Sequence, residues 1–313
     1  MTTAIVDPAG SPRLAFTSVS KWYGVVAALM DVTFQVGCEV VGLVGKNGVG
    51  KTTLMKLAVG LLAPSQGRIL VDGLPAGSRE ARARLGFCPD IDRLYDELTG
   101  VQFVTWMLRY HGRSAREARE RAEHVLAELG LAPHMRRRIR EYSKGMRQRV
   151  RLAQALAHEP RCVLLDEPMT GLDPVARSEL AGMIRGLPAR GVGVLVSSHV
   201  LHELEAVADR VVLVHQGRLL ADGRIGELRS ALPSQPHRLR IACTHSRELA
   251  AALVGWNEVR SVAVIEDGVE VAIDGSATFH TRLTNHAAQW PGAIHEVMAL
   301  DGDLASLFGY LVG

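Results

Sequence analysis

The stretch Val40 to Val44 is a short valine-rich apolar run. It empties directly into Gly45-Lys46-Asn47-Gly48-Val49-Gly50-Lys51-Thr52, and Lys51 to Leu62 then carries helical spacing. This order constrains the fold more than any other segment. A strand apolar on both faces belongs to a buried parallel sheet, so strand, glycine-rich turn and helix in succession predict an α/β core. The turn also has a chemistry. Its glycines let backbone N–H groups face inward as an anion nest, and the next helix adds its positive N-terminal end. Lys51 is placed to reach the outer phosphates of a nucleotide, and the Thr52 hydroxyl to ligate Mg²⁺. A bare structural turn would use the same glycines. The strand before and the helix after are the context that the phosphate reading requires.

Four further motifs follow in order. Tyr142-Ser143-Lys144-Gly145-Met146-Arg147-Gln148 is a polar turn that opens a helix, and Leu164-Leu165-Asp166-Glu167-Pro168 is an apolar strand ending in two acids. A carboxylate at Asp166 can hold Mg²⁺ directly or through water, and Glu167 is the candidate base for an attacking water. Two acids can also simply cap a strand near solvent, but the upstream phosphate loop weighs against that. Gly171-Leu172-Asp173-Pro174 comes next, and Ser197-Ser198-His199 ends the following apolar run. A lone histidine is more often structural. Here its strand is expected beside the Asp166 strand, which aims His199 at the γ-phosphate. Tyr23, before Gly24, is either core or a stacking platform, and Trp22 is the rival because strand neighbours face opposite ways. The run Arg136-Arg137-Arg138-Ile139-Arg140 reads as a solvated face. Without interleaved aromatics it is no argument for nucleic acid.

Patterning along the chain predicts strands at Leu14–Val19, Ala28–Val36 and Gly67–Val71, then helices between Asp90 and Ala157. Strands return at Cys162–Asp166 and Val192–Ser197, around a helix from Pro174 to Leu187, and Arg210–Ala221 reads as a hairpin. The composition of 232–236 (LPSQP) marks a linker. Beyond it the order is β-α-β-β-α-β with a short last helix from Asp303 to Leu311, which suggests a small ferredoxin-like module. The expected domains are therefore 14–231, with a helical subdomain at about 90–157, and 237–313.

Composition narrows the setting. A net charge of +3 demands neither nucleic acid nor an anionic membrane. Cys38, Cys88, Cys162 and Cys243 show no metal spacing, and a buried free thiol at Cys162 fits a reducing compartment. The first 13 residues lack a secretory pattern, and no run of about 18 apolar residues exists to span a membrane. If anything crosses a membrane, another polypeptide is expected to form the path.

Taken together, residues 14 to about 225 resemble the nucleotide-binding domain of ATP-binding cassette (ABC) transporters, over about two-thirds of the chain. The resemblance implies a P-loop NTPase core with an N-terminal antiparallel β subdomain, an inserted helical subdomain and a small C-terminal α+β module. It implies ATP and Mg²⁺. Residues Gly45 to Thr53, with Lys51, Thr52 and Thr53 among them, bind the phosphates, and Tyr23 stacks on adenine. Asp166 assists Mg²⁺, Glu167 is the catalytic glutamate and His199 the switch histidine. Ser143, Lys144, Gly145 and Met146 fall on the signature that contacts ATP held by a second copy, and Asp173 on the loop that links the two sites. Two departures stand out. Asp90 replaces the usual glutamine, so it accepts hydrogen bonds but cannot donate them, and could help hold Mg²⁺. The signature reads Tyr-Ser-Lys-Gly-Met rather than the commoner Leu-Ser-Gly-Gly-Gln. The wording at Tyr142–Arg149, Asp90 and the C-terminal module are similar to ATPase subunits of ABC-2 type exporters. Such a subunit implies a homodimer, separate integral membrane permeases and a cytoplasmic place, peripheral on the inner face of the cell membrane. An importer ATPase shares the cassette. A soluble ABC ATPase of DNA repair or translation is a further alternative, against which stand the missing coiled coil and missing second cassette.

Overall fold

A computed structural model of the chain describes residues 11–91, 94–230, 237–274 and 276–300. The linker expected at 232–236 and the helix expected from Asp303 to Leu311 lie outside the described residues. The chain divides into two compact units, one ending at Gly223 and one beginning at Arg224.

The first unit opens with β1 (Leu14–Tyr23) and β2 (Val26–Val36), an antiparallel hairpin turning at Gly24-Val25. Then come β3 (Val40–Val44) and α1 (Lys51–Ala58). The helix stops four residues before Leu62, where the chain turns through Gly60 at φ +74°. Next are β4 (Gln66–Val71), the two-residue β5 (Leu74–Pro75), α2 (Arg79–Ala83) and β6 (Leu85–Cys88). The helical insertion holds α3 (Gly100–Tyr110), α4 (Ala115–Glu128) and α5 (Lys144–Leu156). Its first two helices begin with reciprocal caps, Thr99 with Gln102 and Ser114 with Glu117, which satisfy donors that a helix start leaves free. Phe103, Val104 and Leu108 of α3, Val125 and Leu126 of α4, and Val150 of α5 are buried where the three helices pack together. The unit closes with β7 (Cys162–Asp166), α6 (Pro174–Arg185), β8 (Gly193–Ser198), α7 (Leu201–Glu205), β9 (Arg210–His215) and β10 (Arg218–Gly223).

Two sheets result. One is antiparallel, in the order β2-β1-β4-β5; the other runs β10-β9-β3-β8-β7-β6 and is parallel from β9 to β6. Every residue of β3, β7 and β8 is buried, as expected for strands covered on both faces. A single core joins the sheets through α1: Phe16 and Phe34 stack at 4.5 Å, Leu54 and Leu57 lie in the helix, and Leu43, Leu164 and Leu195 lie in the parallel strands. Strand β6 did not stand out in the sequence because it is short and contains Gly86. A Cβ at Gly86 would stand 2.1 Å from the carbonyl oxygen of Ala155, so glycine is what lets α5 lie directly on this strand. Cys88 and Cys162 are buried free thiols, pushed up by burial to about 11 and about 12. The basic run pairs within the chain: Arg138 and Arg140 both meet Glu97, Arg137 meets Glu141 and Arg136 meets Glu123.

The second unit has α8 (Ile225–Ser230), β11 (His237–Cys243), α9 (Ser246–Val254), β12 (Val259–Ile265), β13 (Gly268–Ile273), α10 (Ser276–Ala287) and β14 (Ile294–Ala299). Its sheet is antiparallel throughout, ordered β12-β13-β11-β14. Leu239, Ile241, Val269 and Val271 of the sheet pack on Leu249 and Leu253 of α9 and on Phe279 of α10, around Trp256.

One histidine pair gives the first unit a pH signature. His111 and His158 stack at 4.1 Å with rings 12° apart, and His158 Nε2 lies 3.2 Å from the Leu85 carbonyl oxygen. Burial, then the His111 charge, pushes His158 down to about 4. An unfolded histidine binds its proton near 6.5. Between those values the unfolded chain takes a proton that the fold refuses. The stabilising difference is full above about 6.5 and is lost as pH falls toward about 4. His158→Asn is expected to flatten the fall of Tm across that window; an unchanged slope would refute the assignment.

Candidate functional site

The parallel register brings four strand ends to one edge. Val44 pairs with Ser198, Ser197 with Asp166, and Leu165 with Cys88. The loops that leave these ends carry Gly45–Gly50, His199, Glu167 and Asp90. They meet around a cavity of about 200 Å³ lined by Lys46 to Gly48, Gly50 to Thr53, Asp90 and Glu167. A crevice at the carboxyl ends of parallel strands is the general ligand position of open α/β sheets.

The loop itself is held by contacts that only glycine permits. Gly50 has φ +111°, and a Cβ there would stand 2.8 Å from the Ala28 carbonyl oxygen and 2.6 Å from Leu29 Cδ2. The antiparallel sheet thus presses against the loop's end. From there Lys51 turns back into the loop. Its side chain is buried, and Nζ donates to the carbonyl oxygens of Gly45 at 2.5 Å and Lys46 at 3.4 Å. Glu167 Oε1 lies 3.9 Å from the same nitrogen. Burial lowers the Lys51 pKa, while Glu167 and Asp166 oppose the fall. A phosphate entering the loop would compete with these oxygens for the ammonium.

Asp166 is buried and its Oδ1 accepts from Ser197 Oγ at 2.7 Å; the same hydroxyl accepts from the Glu167 backbone N–H at 3.0 Å. Ser197 therefore fixes both acids. Glu167 takes φ +50°, a left-handed conformation uncommon outside glycine, which turns the chain sharply at the strand end. Glu167 Oε2 lies 2.8 Å from His199 Nδ1 and accepts from Thr170 Oγ1 at 3.3 Å. An ionised carboxylate only accepts, so His199 carries its proton on Nδ1 in this contact. Asp90 is pushed up by burial first and then by the charges of Asp166 and Glu167, with Arg151 and His199 opposing. The serine and threonine contacts are what motif reading missed. The paired serines ending an apolar run were the available signal.

Other expected residues lie apart from this cavity among the described residues. Ser143 caps α5, its hydroxyl accepting from Met146 N–H at 3.2 Å. Asp173 caps α6 in the same way, from Ala176 N–H at 2.9 Å. These two helix starts are neighbours: Gly145 faces Ala176, and the Lys144 ammonium lies against Gly171. Trp22 and Tyr23 are both exposed near the tip of the first hairpin, and Lys21 Nζ sits 5.5 Å from the Tyr23 ring centroid. Tyr23 pairs with Val26, two residues from the Ala28 that abuts Gly50.

The ABC transporter family model matches residues 29–170. An ABC transporter ATP-binding protein of Nostoc (all4389), itself uncharacterized, is 41% identical over 192 residues, 61% of this chain and 57% of that protein. The daunorubicin resistance ATP-binding protein DrrA3 of Streptomyces coeruleorubidus is 38% identical over 74% of each chain, and the Nod factor export ATP-binding protein I of Rhizobium etli 36% over 68% of each. A solved ATP-binding subunit of an ABC transporter superposes with TM-score 0.63 at 33% identity, covering 70% of this chain and 92% of its own. The chain belongs to the ATP-binding proteins of ABC transporters. The matched region spans 57% of the Nostoc protein's length and 56% of that of a second uncharacterized ABC transporter ATP-binding protein, from Synechocystis.

Charge-assisted contacts of the Lys51 kind contribute about 1.5–3 kcal/mol. Lys51→Ala is therefore expected to weaken binding of a fluorescent ATP analogue by about 10- to 100-fold. Unchanged affinity would remove Lys51 from the nucleotide site.

Proposed function

We propose that this chain is the ATP-binding and ATP-hydrolysing subunit of an ABC-2 type exporter, acting through separate integral membrane permeases with ATP held in a head-to-tail homodimer. The observation that carries the reading is the Glu167–His199 contact at 2.8 Å beside a buried Lys51 in the phosphate cavity. Gly45–Thr53 bind the phosphates, Lys51 meets the terminal ones, and Tyr23 stacks on the adenine. Glu167 accepts the proton of the attacking water, and His199 holds that carboxylate and the γ-phosphate in register. Ser143, Lys144, Gly145 and Met146, on the separate helix start, serve the ATP of the second copy, and Asp173 faces the opposite site.

The donor set fits Mg²⁺. Thr52, Asp166 and Asp90 are hard oxygen donors, and Thr52 and Asp90 line the phosphate cavity. That suits an ion bound by few protein oxygens together with substrate phosphates. When bound, it would neutralise charge on those phosphates.

Several features support the remaining parts of the reading. No helix among the described residues is long and apolar enough to cross a membrane. A groove of about 360 Å³ beside β6 is lined by Phe87, Pro89, Met107, Tyr110 and His111, among others, and suits a permease segment. Export is favoured by the names of the relatives, one of them an export protein. We divide the chain as proposed from its sequence, with a cassette at 14–231, a linker at 232–236 and an accessory module at 237–313. The strand order β12-β13-β11-β14 supports a ferredoxin-like reading of that module.

Glu167→Gln is expected to lower kcat for ATP by about 10²- to 10⁴-fold while leaving nucleotide affinity within a few-fold. Turnover near wild type would refute the base assignment. Tagged chain extracted from membranes should retain a multi-spanning protein; isolation without one, under conditions that preserve other transporters, would count against the permease.

A further inference from the structure

Ser197 and Ser198 end β8 as neighbours, and strand alternation sends their hydroxyls to opposite sides. Ser197 holds the acid pair. Ser198 does something else. Its Oγ accepts from Val200 N–H at 3.0 Å and donates to Glu203 Oε2 at 2.8 Å. Glu203, in α7, is only 3% exposed. A carboxylate buried this deeply needs a counter-charge. Arg177 of α6 supplies it, with Nε 3.3 Å from Glu203 Oε1. The other end of the same guanidinium donates from Nη2 to the carbonyl oxygen of Leu172 at 3.2 Å. Leu172 immediately precedes Asp173, which caps α6. A polar path, hydrogen-bonded at Ser198 and at Leu172 and joined in the middle by the Glu203–Arg177 ion pair, therefore runs from the residue before His199 to the residue before Asp173. Neither Glu203 nor Arg177 lines the phosphate cavity.

We propose that Glu203 and Arg177 are positioning residues that lock the His199 loop to the Asp173 loop, so that a phosphate engaged in one cleft sets the loop presented to the second copy. This rests on the proposed dimer. A purely packing role could be filled by apolar residues, because a buried ion pair contributes little net stability against them. What an apolar pair could not do is tie Ser198 Oγ and the Leu172 carbonyl to one charged unit. The single path also means that breaking either member severs the same link.

The test uses the full-length chain with Glu203→Gln, Arg177→Met and the double variant. It measures affinity for a fluorescent ATP analogue, kcat and the Hill coefficient for ATP. Each single variant is expected to keep affinity within about twofold and lose about tenfold in kcat, a typical size for a change in coupling, with the Hill coefficient falling toward one. The double variant is expected to be no worse than the weaker single, as for members of one network. Wild-type kcat in both singles, losses that multiply in the double, or kcat losses matched by lost affinity would overturn the proposal. Arg177 is about one-third exposed, so Arg177→Met decides the matter should Glu203→Gln not fold. A wild-type chain with no ATPase activity would instead remove the functional reading and this inference with it.

Discussion

The structure depends on the in-register parallel pairing of β3, β8, β7 and β6. That pairing brings Gly45, His199, Glu167 and Asp90 to one edge although they are spread over more than 150 positions of the chain. Each strand is short and wholly apolar where it is central, so its ladder is buried and its register is set by packing. The chemistry then sits on the first residue or two after each strand, where the chain leaves the ladder but its start is still fixed. Ser197 shows how closely chemistry and scaffold are joined: one hydroxyl serves a side chain of β7 and the backbone that follows it.

The edge gathers one face of a nucleotide site. The phosphate loop, Asp90 and Glu167 line a single cavity, and His199 meets Glu167 there. The Ser143 turn does not reach it, and neither does Asp173. Both cap helices that start beside each other, with Lys144 lying against Gly171. Two helix N-termini side by side make an anion-attracting surface, since their partial positive charges add. In the proposed dimer that surface closes over the nucleotide of the other copy. The Ser198–Glu203–Arg177–Leu172 path would then connect the two faces within each chain.

Much of this was legible in the sequence. Val40–Val44 and Cys162–Asp166 read as strands at their observed bounds because unbroken apolar runs followed by polar loops have few other solutions. The polar turn at Ser143 marked a helix start for the same local reason. Strand β6 was not legible: Gly86 is there for the backbone of α5, a contact about 70 residues away in sequence. Nor was the role of Ser197, of Thr170 at Glu167, or of buried Glu203, since each depends on which strands and helices become neighbours. Tyr23 and Trp22 remain equivalent by exposure alone, and the case for Tyr23 rests on its place in the family pattern.

In the proposed dimer one ATP is clasped between the strand-end cavity of one chain and the Ser143 turn of another. Sedimentation of the Glu167→Gln chain with ATP and Mg²⁺ tests it most directly, because slow turnover preserves the closed form. The mass is expected to shift from one chain to two only when nucleotide is present, and the shift to be lost when Ser143 is replaced by a bulky residue. A single-chain mass at every nucleotide and protein concentration, with nucleotide shown to be bound, would contradict it.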